Sequence, residues 1–193
     1  MTPNTIDAII AKLLEFEASV PFMYLDDAEP PVVTCGIGHA MFSVNDALGL
    51  PWSIGDLDAL PAQIAADYLK VKQARPGYAA GHYKGLTICR LGDDDIRGLC
   101  RAEFLGHLAK FRKHVPDIGF YPVPAQLACG DLLFNLGPDF TVNGEWPKLT
   151  LAIFANDWTT AAVQSHRAPP INAARNKYVH DLFLSCVAPV QQR

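Results

Sequence analysis

The sequence predicts an α+β chain with its strands concentrated near the start and a mainly helical second half. Two patterns carry that prediction. Apolar residues recur at helical spacing in the opening segment and through most of residues 93–185, whereas residues 22–39 mix Pro, Gly, Asp and β-branched residues in the way that short strands joined by turns require. With 193 residues, half of them hydrophobic and 19% charged, the chain can bury one sizeable core. A single domain over 1–193 is therefore expected, in two parts, about 1–91 and about 92–193.

The elements follow in order. From about Thr5 to Glu17, Ile6, Ile9, Ile10, Leu13 and Leu14 share one helical face, with Asn4 or Thr5 available as the N-cap. A small β-rich flap spans Phe22 to His39. Between about Ser43 and Leu91 the chain is punctuated by Gly and Pro, with one helix predicted from about Leu57 to Lys72 and a loop through RPGYAAGHYKG. The longest predicted helix runs from Asp93 to His114, its three leading aspartates suiting the positive end of the helix dipole. A further helix begins near Pro122 to Pro124 and ends at Leu136, where Gly137 and Pro138 form a stop signal. Shorter helices are expected over Lys148 to Ala155, Trp158 to Gln164 and Ile171 to Ser185.

The formal charge of -4, without a cluster of Lys and Arg, argues against nucleic-acid binding. The densest basic stretch, Lys110 to His114, reads as the solvated face of a helix. Five cysteines at scattered positions (Cys35, Cys89, Cys100, Cys129, Cys186), with no CxxC pair, predict free thiols. The opening MTPNTIDAII lacks a basic region followed by an apolar core, and no apolar run is long enough to span a bilayer. The expectation is a soluble chain made in the cytoplasm without stable membrane insertion. Any extracytoplasmic target is then reached by another route.

The chemistry-bearing residues lie early. Hydrolysis of a glycoside requires a carboxylic acid to protonate the leaving oxygen and a second group to stabilise the cation or activate water. Glu17 follows Leu13 by one helical turn and so falls on or beside the apolar stripe, where partial burial would hold a carboxyl protonated. Glu15, two positions away, points elsewhere. Asp26 and Asp27 fall in the turn-rich flap, where an aspartate is expected to be solvated and ionised, giving the contrast in environment that acid–base pairs use. Thr34 offers a hydroxyl that can hold a water against the aspartate.

The stretch from Glu17 through Tyr24 and Asp26 to TCGIGH, Thr34 to His39, resembles the catalytic signature of the phage lysozyme, or endolysin, family. LLFNLG, Leu132 to Gly137, and NDWTTAAV with the following Arg167 are similar to that family's C-terminal region, so that the resemblance covers about two thirds of the chain. It implies a lysozyme-like fold with a small β-rich N-terminal lobe and a helical C-terminal lobe joined by a helix. It also implies cleavage of the linkage between N-acetylmuramic acid and N-acetylglucosamine in bacterial peptidoglycan, with inversion and without a cofactor or metal. Glu17 would be the acid, Asp26 and Thr34 would assist water, and Phe134 and Gln164 would line the sugar groove. A monomer is expected, acting in the periplasm or cell wall after delivery by a hole-forming protein or a secretion machine.

The flap loop between Asp26 and Thr34 carries an EPP turn and is longer than the family's commonest form, which leaves Asp27 as an alternative to Asp26. The segment from about Ser43 to Leu91 also exceeds the usual length. Cys35 reads as packing because no activating partner is evident. Gly36 and Gly38 read as letting the backbone turn or approach substrate, and His39 as a buried structural histidine; His82, His107, His114, His166 and His180 lack zinc-ligand spacing. Two other readings compete: a lysozyme-like module that binds glycan without turnover, and the same hydrolase serving as an antibacterial effector with an inhibitor or immunity protein as partner.

Overall fold

Helix α1 spans Pro3–Phe16, and a computed structural model describes it together with the rest of residues 1–187. The cap is Thr2 rather than Asn4 or Thr5: its Oγ1 accepts from the Thr5 backbone N–H at 3.2 Å, because Pro3 takes the first helical position, where it lacks no needed N–H. Helix α1 also stops one residue before Glu17. Pro21 excludes Val20 from helical geometry, so the chain must turn extended upstream of it.

Three antiparallel strands follow, β1 Val20–Leu25, β2 Val33–Gly36 and β3 His39–Met41, in the order β1-β2-β3. Cys35 pairs with His39 across a tight connection in which Gly36 and Gly38 have φ of 63° and 100°, so these two glycines do form the turn.

The segment after the flap is an ordered structure in its own right. Helix α2, Val44–Leu48, is opened by Ser43 and Asp46 capping each other's backbone N–H groups. A hairpin of β4, Ser53–Ile54, and β5, Leu57–Asp58, precedes α3, Pro61–Lys72. The expected helix start at Leu57 is therefore four residues early: Pro61 supplies the first helical position, and the Gln63 side chain accepts from the Leu60 N–H at 2.8 Å. The expected loop through RPGYAAGHYKG contains a 3-10 helix, Ala80–Leu86.

Helix α4 spans Asp93–Phe111, ending three residues before the expected His114, with Ile96, Cys100, Phe104, Leu108 and Phe111 buried along the expected stripe and Leu99, at its edge, half-buried. A second 3-10 turn, Pro116–Phe120, leads into α5, Val123–Leu136, which ends where Gly137 turns to φ 84°. Helices α6 Pro147–Ala155, α7 Trp158–Gln164 and α8 Ala173–Leu184 complete the chain, with Asp157 and Asn172 capping the last two.

The chain resolves into two compact units. One joins α1 to the residues from Glu103 onward, and the other is Glu17–Ala102. The first is cored by Ile9, Ile10, Leu13, Leu132, Leu133 and Phe183. Its central polar group is Asp131, almost fully buried, which accepts from Arg167 Nη1 and Arg175 Nε, each at 2.8 Å. Asn176 holds Arg167 in place through its backbone N–H and C=O. The second unit is cored by Met23, Val33, Met41, Trp52, Val71 and Tyr83, and buried Asp67 accepts there from the N–H groups of Ile88 and Cys89 at 2.7 and 2.8 Å. All five cysteines are free thiols, four of them buried, Cys35 included.

Close approach of α1 and α5 depends on Gly130, where an added Cβ would lie 2.5 Å from Ile9 Cδ1. Gly130→Ala is expected to lower stability by about 1–3 kcal/mol. Gly98→Ala, exposed in α4 with nothing near its Cβ position, should raise it by about 0.5–1 kcal/mol. Urea-unfolding midpoints of the two variants check both signs.

Candidate functional site

The sheet register gathers the flap's chemistry on one face. Tyr24 lies directly opposite Thr34, and Asp26, two residues along from Tyr24, shares its side of the strand. Pairing continues one residue past β1, because the Asp26 N–H donates to the Val32 carbonyl at 3.1 Å.

The Asp26 carboxylate is held at both oxygens. Its Oδ1 accepts from the backbone N–H groups of Val32 at 2.8 Å and Ala28 at 3.2 Å, the latter an Asx turn. Its Oδ2 faces the Thr34 hydroxyl at 3.3 Å, and the same hydroxyl lies 3.2 Å from the Val32 carbonyl. Thr34 is buried and Asp26 half-buried, whereas Asp27 is exposed. The aspartate doublet is thus resolved in geometry: Asp26 is the anchored member.

Glu17 is half-buried and opens the second unit instead of standing on the stripe of α1, since the helix has already ended. Its carboxyl contributes to the field around the Tyr24 phenol. Burial first, then the nearby Asp26, Cys35, Asp27 and Glu17, push that phenol up to about 12. Tyr24 is therefore neutral over the whole physiological range.

His39 departs from expectation. Its ring is half-exposed on β3, an edge strand of the sheet, and makes no hydrogen bond among the described residues. Phe134 and Gln164 belong to the other unit. Phe134, half-buried near the end of α5, has its ring 6.5 Å from that of His107. Gln164, the last residue of α7, lines a concavity of about 280 Å³ with Trp146, Lys148 and His166. Glu17, Asp26, Thr34, Gly36, Gly38 and His39 thus fall in one unit, and Phe134 and Gln164 fall in the other, at separate places.

Two features were not anticipated from sequence. The grip of the Ala28 and Val32 amides on Asp26 had a local signal, an aspartate two residues before a turn alanine, that also fits an ordinary solvated loop. The second is a concavity of about 500 Å³ beside Asp26, bordered by residues 27–31 and by Pro76 and Gly77. Nothing local to either loop announces the other.

Among the described residues no group of three or more His, Cys, Asp or Glu is placed to hold a metal ion, and no helix is long and apolar enough to cross a membrane. Comparison with protein-family models, with curated proteins and with solved structures finds no match to this chain.

Tyr24 shares its alkaline behaviour with half-buried Tyr178 and with buried Cys89 and Cys129, which sets a pH dependence. Burial pushes Tyr178, Cys89 and Cys129 up to about 12 as well, from 10.0 for the phenol and 9.0 for the thiols. In each case the folded state holds the proton more tightly than the unfolded chain. Their contribution to stability is complete below the unfolded values, near pH 9 for the thiols and pH 10 for the phenols, and is lost as pH rises towards 12. The thermal midpoint should therefore fall steeply between pH 9 and 12, and Tyr24→Phe should make the fall above pH 10 shallower. Circular-dichroism melts over this range check it.

Proposed function

We propose that the protein is a glycoside hydrolase of the lysozyme kind, cutting the N-acetylmuramic acid–N-acetylglucosamine linkage of bacterial peptidoglycan through a lysozyme-like fold. The observation that carries the reading is the anchored Asp26 with the Thr34 hydroxyl at one oxygen and Glu17 near the same tyrosine. This is a set of groups suited to a cleavage that needs one proton donor and one fixed carboxylate.

In this reading Glu17 protonates the glycosidic oxygen as the bond breaks. Asp26 and Thr34 face the developing oxocarbenium ion: the carboxylate stabilises positive charge or takes a proton from the attacking water, and the hydroxyl orients that water. Tying Asp26 to two backbone amides preorganises it, so that little reorganisation is needed at the moment of reaction. Phe134 and Gln164 are proposed to contact the sugars, and no metal or cofactor takes part. Action in the periplasm or cell wall, delivery by a hole-forming protein or secretion machine, and an inhibitor partner for an effector branch belong to the same proposal.

Glu17→Gln removes the transferable proton while keeping the side chain's volume. It should lower clearing of permeabilised bacterial walls by roughly 10²–10⁴-fold with folding retained. Asp26→Asn should cost more activity than Asp27→Asn. Mass analysis of the digest should show cut sugars with intact stem peptides. Walls that bind the protein and never clear would instead identify a glycan-binding module, and wild-type turnover by Glu17→Gln would remove Glu17 as the acid.

A further inference from the structure

The concavity beside Asp26 is built from the two segments in which this chain departs from the pattern it resembles, the lengthened flap loop and the segment after β3. One wall is residues 26–31, and the other is Pro76 with Gly77, in the loop between α3 and the 3-10 helix. At about 500 Å³ it lies within the usual range for small-ligand clefts, roughly 300–1,000 Å³.

Its lining is one-sided in hydrogen-bonding character. Three carboxylates, Asp26, Asp27 and Glu29, offer acceptors. Pro30, Pro31 and Pro76 have no N–H to offer, and the N–H groups of Asp26 and Ala28 already donate within the loop, which leaves the backbone N–H groups of Asp27, Glu29 and Gly77 as the lining's donors. No Lys, Arg or His is part of the lining, and neither Asp27 nor Glu29 has an ion-pair partner among the described residues. A surface rich in acceptors, poor in donors and negatively charged repels carboxylates and phosphates. It favours a ligand that brings hydroxyls and a cationic amine. The prolines hold φ fixed, so this lining needs little ordering when a ligand arrives.

We propose that this concavity is a binding subsite for a unit of the cell-wall polymer that carries a primary ammonium group, seated directly beside Asp26. The inference rests on the wall-hydrolase reading for the source of its ligand. Two parts of such a polymer supply that chemistry: a glucosamine whose acetyl group has been removed, and the side-chain amine of a diamino acid in the stem peptide.

The test is binding of three soluble probes to the full chain carrying Glu17→Gln, followed by calorimetry: a glucosamine oligomer with free amines, its fully N-acetylated counterpart, and a short peptide ending in lysine. At least one amine-bearing probe should bind ten-fold or more tightly than the acetylated sugar. Raising the salt from about 0.01 M to about 1 M should largely erase that preference, since the contacts are exposed. Glu29→Gln and the double variant with Asp27→Asn should reduce the preference in step, and whichever amine probe wins identifies the source. Equal binding of all three probes, or a preference untouched by the double variant, overturns the subsite. Activity is read separately: wall clearing that persists in Glu17→Gln defeats the hydrolase reading, whereas Glu17-dependent clearing without any amine preference defeats only the subsite.

Discussion

The flap depends on one carboxylate. Asp26 accepts from two backbone amides of its own loop and faces the hydroxyl of Thr34. Thr34 is buried, and a buried hydroxyl without an acceptor is costly, so its position is tied to Asp26 and to the Val32 carbonyl together. That arrangement shapes the loop from Asp27 to Val32. It also sets one wall of the adjacent concavity and orders the anionic edge that surrounds Tyr24.

Each unit has at its core a buried aspartate that accepts from distant donors. In the second unit Asp67 binds amides 21 and 22 residues further along, which pins the stretch before α4. In the first, Asp131 pairs with arginines 36 and 44 residues away, so that α5, α8 and the α7–α8 connection are held by one acid. Buried charges tolerate such surroundings only when paired, and removal of one partner from such a pair costs roughly 3–5 kcal/mol. Structural carboxylates of this kind are fully enclosed. Asp26 differs in being anchored yet half-exposed, so that it stays open to solvent.

The chemistry of the candidate site follows from an imbalance between donors and acceptors. The charges of Asp26, Asp27 and Glu17 add to the burial that keeps the Tyr24 phenol protonated, and the concavity beside Asp26 continues the run of acceptors. A ligand rich in hydroxyl and amine donors meets such a surface without leaving its own polar groups unpaired. Saccharides have that character, which is why the same surface supports both the hydrolase reading and the subsite beside it.

By itself the sequence determined the features that arise within a few residues: the apolar stripes of α1 and α4, the stop at Gly137, the glycine turn between β2 and β3, and the early flap carrying Asp26 and Thr34. These follow from side-chain periodicity and backbone sterics, which are local. Only the tertiary structure decided the exposure of His39, the placing of Asp26 rather than Asp27 at the Thr34 hydroxyl, and the meeting of the flap loop with Pro76 and Gly77. Each of those depends on which distant groups come together to satisfy buried hydrogen bonds and fill space, and that outcome is a property of the packed chain.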